Sequence, residues 1–297
     1  YNVNGSIIKN LGLENVNIPS TDGQAGMLVG NISTSIVTNC YAKGNIFGNS
    51  YTGGLVGNSF SVYYTNCFTE GSVTGVDNVG GLVGIVDGNN QSTIDSCHSV
   101  ANVTGQSLLG GLIGYATNVN TSKSYAVGDI SGVNNSIGGF VGSYSNGTIN
   151  SCTASGNVVM TGNNSFRVGG FAGYISGTTT NCYSVGSVTV DESTDDIGGF
   201  TGNYVGNVSN CYAIGIIIGG SNNIGGFIGF LNGNVIDCYH NGIQNGYGTY
   251  ETLAALTDIN TYSNWDIIDI TQYTNQTWKI EDDNLPILGW ETQKESF

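Results

Sequence analysis

The pentapeptide Gly-Gly-apolar-x-Gly recurs along this chain too regularly for chance, and its period constrains the fold more than any other feature. Its last glycine falls at Gly57, Gly84, Gly114, Gly142, Gly173, Gly202 and Gly229, after a degenerate first copy, Gly26-Met27-Leu28-Val29-Gly30. Successive copies lie 27, 27, 30, 28, 31, 29 and 27 residues apart. A second element keeps step with the first. Cys40, Cys67, Cys97, Cys152, Cys182, Cys211 and Cys238 each follow a motif, and Ser124 fills the one missing place. Four residues further on stands Gly44, Gly71, Gly128, Gly156, Gly186, Gly215 or Gly242, with Ala101 the single exception. Length varies only in the polar stretches between the two elements, where loops absorb it.

A unit of this size is one supersecondary element that buries its apolar residues against its neighbours. No stretch sustains a 3.6-residue period, Gly recurs too often for a helix, and the apolar residues are largely Val, Ile, Tyr and Phe. Each unit offers about three runs of roughly four to six residues between Gly and Asn. The prediction is an all-β chain: a parallel β-solenoid, or β-helix, of about eight to nine coils, roughly 28 residues per coil. Coils spaced about 4.8 Å apart place equivalent residues in columns. One column runs Leu55, Leu82, Leu112, Phe140, Phe171, Phe200 and Phe227, so the core changes calibre along the rod. A (β/α)8 barrel would need a helix in every period, and a propeller four strands per roughly 40 residues.

The rod is expected over 26–246. Residues 1–25 form a lead-in coil in which Leu11 and Leu13 hold the Cys and small-residue places. Residues 247–297 form a C-terminal capping or contact segment. An open solenoid end exposes unpaired strand edges, and Trp265, Trp278 and Trp290 are sized to plug it.

Composition narrows the function classes. Six Lys and Arg stand against 21 Asp and Glu, a net charge of −15 in 297 residues, which leaves no basic stripe for nucleic acid. The longest apolar runs, Ile214 to Ile218 and Phe227 to Leu231, are far short of the roughly 20 residues a spanning helix needs. A Gly-, Asn- and Ser/Thr-rich acidic chain reads as extracellular or cell-surface.

The seven Cys share one column and are odd in number, so the expectation is buried free thiols, not disulfides. With no C-x-x-C pair and no clustered His, no cofactor is implied. After each Cys, or after Ser124, comes Tyr41, Phe68, His98, Tyr125, Thr153, Tyr183, Tyr212 or Tyr239, which strand alternation points outward. Such a ladder stabilises a flat sheet. Its Tyr and Phe members are also candidate surface contacts for sugar rings or a partner. Asp191, Glu192, Asp195 and Asp196 crowd one turn, a weak Ca²⁺ candidate against the plainer reading of a solvated acidic loop. Ten N-x-S/T sequons occur, from Asn4 to Asn275, where chance gives roughly 7. No HExxH, G-x-S-x-G or phosphate-cradling loop is present, so no catalytic residues are assigned.

Gly-Gly-Leu/Phe-hydrophobic-Gly followed by Asn-Cys-Tyr-Ala-x-Gly resembles the GLUG repeat. The resemblance covers nearly the whole chain. Trp265-Asp266-Ile267, Trp278-Lys279-Ile280 and Leu285-Pro286-Ile287-Leu288 resemble the tail that closes such arrays. It implies kinship with large surface proteins, among them filamentous-haemagglutinin-like adhesins and the non-catalytic repeats of metallo-IgA-peptidases. The peptidase's zinc motif is missing from this sequence. The expected function is therefore a non-enzymatic structural or adhesive module. Its expected partners are further copies, stacked head to tail into a filament, or a host or cell surface. The alternatives are a β-helix lyase or glycosidase acting on polysaccharide, and a glycan-binding module using the Tyr ladder.

Overall fold

The computed structural model describes residues 2–19, 23–163, 165–243, 246–269, 276–281 and 284–291, with residues 90 and 91 by backbone alone. Of the sequons, Asn275 and the side chain of Asn90 lie outside this set.

The chain is a parallel β-solenoid with three faces, built from a 12-stranded, a 15-stranded and an 8-stranded sheet. One coil shows the plan. Asp77–Gly80 lies on a glycine face and Val83–Asp95 on a long face. His98–Ser99 and Asn102–Thr104 lie on an aromatic face, and Ser107–Gly110 begins the next turn. Register is kept column by column: Val83 pairs with Val56 on one side and Ile113 on the other. The lead-in segment supplies a coil of two faces, Asn2–Asn4 and Ile7–Lys9 on the long face and Gly12–Ile18 on the aromatic face. Leu13 pairs with Ala42, in the small-residue column.

The Gly-Gly corner follows from backbone crowding. Two successive amides, those of Leu82 and Val83, both donate to the Leu112 carbonyl at 2.9 and 3.1 Å. The same fork recurs from Leu55 and Val56 to Leu82, and from Phe171 and Ala172 to Phe200. Aiming two consecutive N–H groups at one oxygen needs a corner so tight that a Cβ on Gly80 would overlap the Val83 carbonyl. A Cβ on Gly81 would overlap the Gly111 carbonyl and the Ser99 hydroxyl. The second glycine therefore packs on the small residue two places after Cys, such as Thr69, Ser99, Ala126 or Ala154. Backbone and small side chain approach closely at that point, and the two halves of the repeat motif meet there.

Beside this contact runs the predicted column. Leu55, Leu82 and Leu112 are fully buried, as are Phe140, Phe171, Phe200 and Phe227. The phenylalanine rings stack at 4.8, 4.7 and 4.9 Å. Tyr144 and Tyr204 fill the long-face side, with their hydroxyls donating to the Thr148 and Asn207 carbonyls at 3.0 and 2.9 Å.

The other corner explains Asn/Ser-Cys. The residue before each Cys, or before Ser124, is left-handed: Asn39, Asn66, Ser96, Lys123, Ser151, Asn181, Asn210 and Asp237 have φ from 44° to 54°. Asn tolerates that conformation better than most side chains. All seven cysteines are free and buried. Each thiol donates to the carbonyl two residues back, at 3.1 Å for Cys182 and Cys211 and 3.4 Å for Cys67. Several also accept an amide from the preceding coil, as Cys182 does from Cys152 N–H at 3.4 Å. Ser124 repeats both bonds, to the Ser122 carbonyl at 2.7 Å and from Cys97 N–H at 3.1 Å. Burial pushes the Cys97, Cys152 and Cys211 thiols well above their ordinary pKa, so they stay protonated donors. The column is thus a polar ladder that satisfies the corner backbone. Small size alone does not define it.

The C-terminal segment departs from the expected plug. The far end of the rod is covered by Gly246–Tyr250, with Gly246 over Gly225, Gly248 against Phe227, and Thr249–Tyr250 paired with Tyr239–His240. Trp265, Trp278 and Trp290 are elsewhere, laid along the side of the rod. There Trp265 and Trp278 pack against the Tyr183–Tyr212 stack, with ring centres 5.9 to 6.4 Å apart.

Candidate functional site

The aromatic face carries one ring per coil because the left-handed corner turns Cys inward and the next residue outward. Its first half is an uninterrupted stack. Tyr41 lies 4.8 Å from Phe68, Phe68 lies 4.8 Å from His98, and His98 lies 4.5 Å from Tyr125, all within 8° of parallel. The rings are half-buried, with their outer edges open. Lys43 crosses this stack, its Nζ 5.7 and 5.6 Å from the Tyr41 and Phe68 ring centres and 3.1 Å from Glu70. His98 is held neutral: burial between its neighbours pulls its pKa down to about 4.

Thr153 breaks the ladder, and beyond it the face is covered. Tyr183 and Tyr212 stack at 4.8 Å but are only 4% and 1% exposed. Over them sits a small module made of the Leu253–Leu256 helix capped by Thr252, the Ile259–Tyr262 turn, and strands Ile267–Asp269, Trp278–Ile280 and Ile287–Leu288. Leu256, Tyr262, Trp265, Trp278, Ile280 and Leu288 form one buried cluster with the two tyrosines. Each phenol is also tied down. Tyr183 donates to Glu291 at 2.8 Å, Tyr212 to the Pro286 carbonyl at 2.7 Å, and Tyr239 to the Thr261 carbonyl at 3.0 Å. Trp265 and Trp278 donate in turn to the Asp237 carbonyl and the Asn181 side chain. Trp290 rests 6.1 Å from Tyr125, at the boundary of the open half.

The predicted contact ladder is thereby divided. Tyr41, Phe68 and Tyr125 remain on an accessible face, whereas Tyr183, Tyr212 and Tyr239 pack under the chain's own tail. Sequence reasoning missed this docking. Its signals are the Thr153 gap and the concentration of all three Trp in the tail.

The acidic turn does not gather into a metal site. Asp191 Oδ1 accepts from Ser193, and Asp195 Oδ1 accepts from the amide and side chain of Asn222. Asp196 accepts from Asn203 and Asn223. These carboxylates are taken up in separate turn and column contacts. Among the described residues, no three His, Cys, Asp or Glu side chains, Glu192 included, converge to hold a metal ion. No helix among those residues is long and apolar enough to cross a membrane.

One coil, from Val133 through the Gly138-Gly139-Phe140-Val141-Gly142 corner and Cys152 to Val159, matches a known family model. That model is the GLUG motif. The match covers residues 133–159, one turn of the rod, and the other coils share that turn's corners and columns. A GLUG unit in this chain is therefore a full circuit of three faces: fork, long strand, cysteine corner and aromatic strand. No curated protein and no solved structure gives a match to the chain.

Proposed function

We propose that this chain is a non-enzymatic structural and adhesive module of an extracellular or cell-surface protein, with the open half of the aromatic face as its attachment surface. The observation that carries this reading is the Tyr41–Phe68–His98–Tyr125 stack. Its rings are parallel and rigidly spaced, and among the described residues the tail touches this stack through Trp290 at its Tyr125 end, whereas it buries Tyr183 and Tyr212. Rigid, pre-ordered aromatic surface binds at low entropic cost, and its row of open ring edges suits sugar rings or apolar side chains. A glycan is the favoured ligand class. Lys43 and Glu70 flank the stack with a donor and an acceptor for hydroxyl groups.

A surface location agrees with a net charge of −15, and buried thiols are shielded from oxidation in such a compartment. The non-enzymatic reading is supported by carboxylates already engaged in turns and columns.

The test is attachment of rod-coated beads to cells and to immobilised polysaccharides, comparing wild type with Tyr41→Ser/Tyr125→Ser. Loss of two exposed aromatic edges should weaken attachment about tenfold. Equal attachment by both proteins would refute the aromatic-face reading. Release of new reducing ends or unsaturated sugar from any polysaccharide would replace it with the lyase or glycosidase alternative.

A further inference from the structure

The last strand of the long face, Ile228–Ile236, ends its sheet. It pairs with Thr201–Ser209 on one side, and on the other it has only a single bridge from Ile228 to Tyr247. The chain adds Thr249–Tyr250 to Tyr239–His240 and lays Gly246 against Gly225, but the edge from Phe230 to Ile236 has no partner among the described residues. That edge is uncharged and contains no Pro, so it lacks the usual features that keep strand edges from pairing. Phe230 and Ile236 are 44% and 53% exposed.

The edge also has a centre of symmetry. From Gly233 outward the residues are Asn232 and Asn234, then Leu231 and Val235, then Phe230 and Ile236. Burial follows the same symmetry: Leu231 and Val235 are half-buried, whereas Phe230, Asn232, Asn234 and Ile236 are exposed. The Ile236 carbonyl accepts from Asn210 N–H in the preceding coil, so alternation turns the free amides and carbonyls of Leu231, Gly233 and Val235 to the open edge.

We propose that two copies of this chain join through Ile228–Ile236, antiparallel, about a two-fold axis at Gly233. Gly233 then pairs with Gly233 of the second copy, Leu231 with Val235, and Phe230 with Ile236. Asn232 faces Asn234 in a non-hydrogen-bonded pair, where side chains are closest. The Tyr247 bridge at Ile228 marks where the second strand stops. Such a contact is isologous and closes on itself, so it yields a dimer and not a growing filament. This goes beyond the proposed function and is independent of the aromatic face.

Sedimentation velocity and light scattering on the full chain test it. Wild type should have twice the 30.8 kDa chain mass. Asn232→Lys/Asn234→Lys sets like charges opposite each other twice and should weaken the dimer about 10- to 30-fold. Asn232→Lys/Asn234→Glu sets each lysine opposite a glutamate only in the antiparallel register, and should restore it. Circular dichroism confirms that each variant is folded. A wild-type monomer at about 100 µM, far above a typical specific dissociation constant, overturns the proposal. So do open-ended oligomers, or two variants that behave alike. In each of those cases bead attachment through Tyr41 and Tyr125 is unaffected, so the two readings fail separately.

Discussion

Replacing Cys182 distinguishes a polar ladder from an apolar one. The Cys182 thiol donates to the Thr180 carbonyl at 3.1 Å and accepts Cys152 N–H at 3.4 Å, in a fully buried setting. Cys182→Ala leaves that N–H without a partner, which costs about 1–3 kcal/mol. The long sulfur contact puts the expected loss at the lower end, about 1–2 kcal/mol. Cys182→Ser keeps both bonds, as Ser124 does two coils away, and should destabilise less than Cys182→Ala does. If the thiol only filled space, the order would invert: alanine would leave a small gap, while serine would bury an uncompensated hydroxyl at about 1–3 kcal/mol. Urea midpoints of the three proteins, with matched slopes, give the ranking. A serine variant less stable than the alanine variant would refute the ladder argument.

Four further outcomes are expected. Phe171→Ala removes a buried ring between Phe140 and Phe200 and should cost about 3–5 kcal/mol by the same midpoint assay. Trp278→Ala should free the tail from Tyr183 and Tyr212, so that limited proteolysis cuts within 253–291 while the strand signal of the rod persists. Leu108 sits left-handed at φ 56° in a column that also holds Tyr51, Asn78, Ser136, Arg167, Asp196 and Asn223, and Asn tolerates that conformation best, so Leu108→Asn should gain about 1 kcal/mol. His98 protonates near pH 4 when folded but near 6.5 when unfolded, so stability falls as pH drops from 6.5 toward 4. The slope is below about 1.4 kcal/mol per pH unit because the ring is partly open, and His98→Phe should remove this contribution.

The solenoid and its columns were legible because stacking forces equivalent residues into contact every coil, so each physical requirement is written into the sequence eight times. The Gly pair, the Leu-to-Phe column and the cysteine column are all of this kind. The role of the thiols was half legible. Ser124 in place of Cys signals a hydrogen bond, but its geometry depends on the left-handed residue before it. The tail was not legible, because it occurs once. Trp265 and Trp278 announce burial without saying against what, and both the rod end and the rod side offered apolar surface. The partners of the acidic turn were hidden for a related reason: Asp195 and Asp196 are close in sequence, yet each is paired with a residue one coil on, Asn222 and Asn223.

The docked tail acts as a gauge of repeat number. It reaches Asn181, Tyr183, Tyr212, Asp237 and Tyr239, which belong to successive coils. Inserting or deleting one coil among them would shift its anchors by about 4.8 Å, more than a hydrogen bond tolerates. Among the described residues, coils ahead of Tyr125 show no such tie, and one more or one fewer there only lengthens or shortens the open stack. Duplication and loss of repeats should therefore be tolerated before Tyr125 and excluded between Asn181 and Tyr239. The length of the open aromatic stack can change while the closed end of the rod stays fixed.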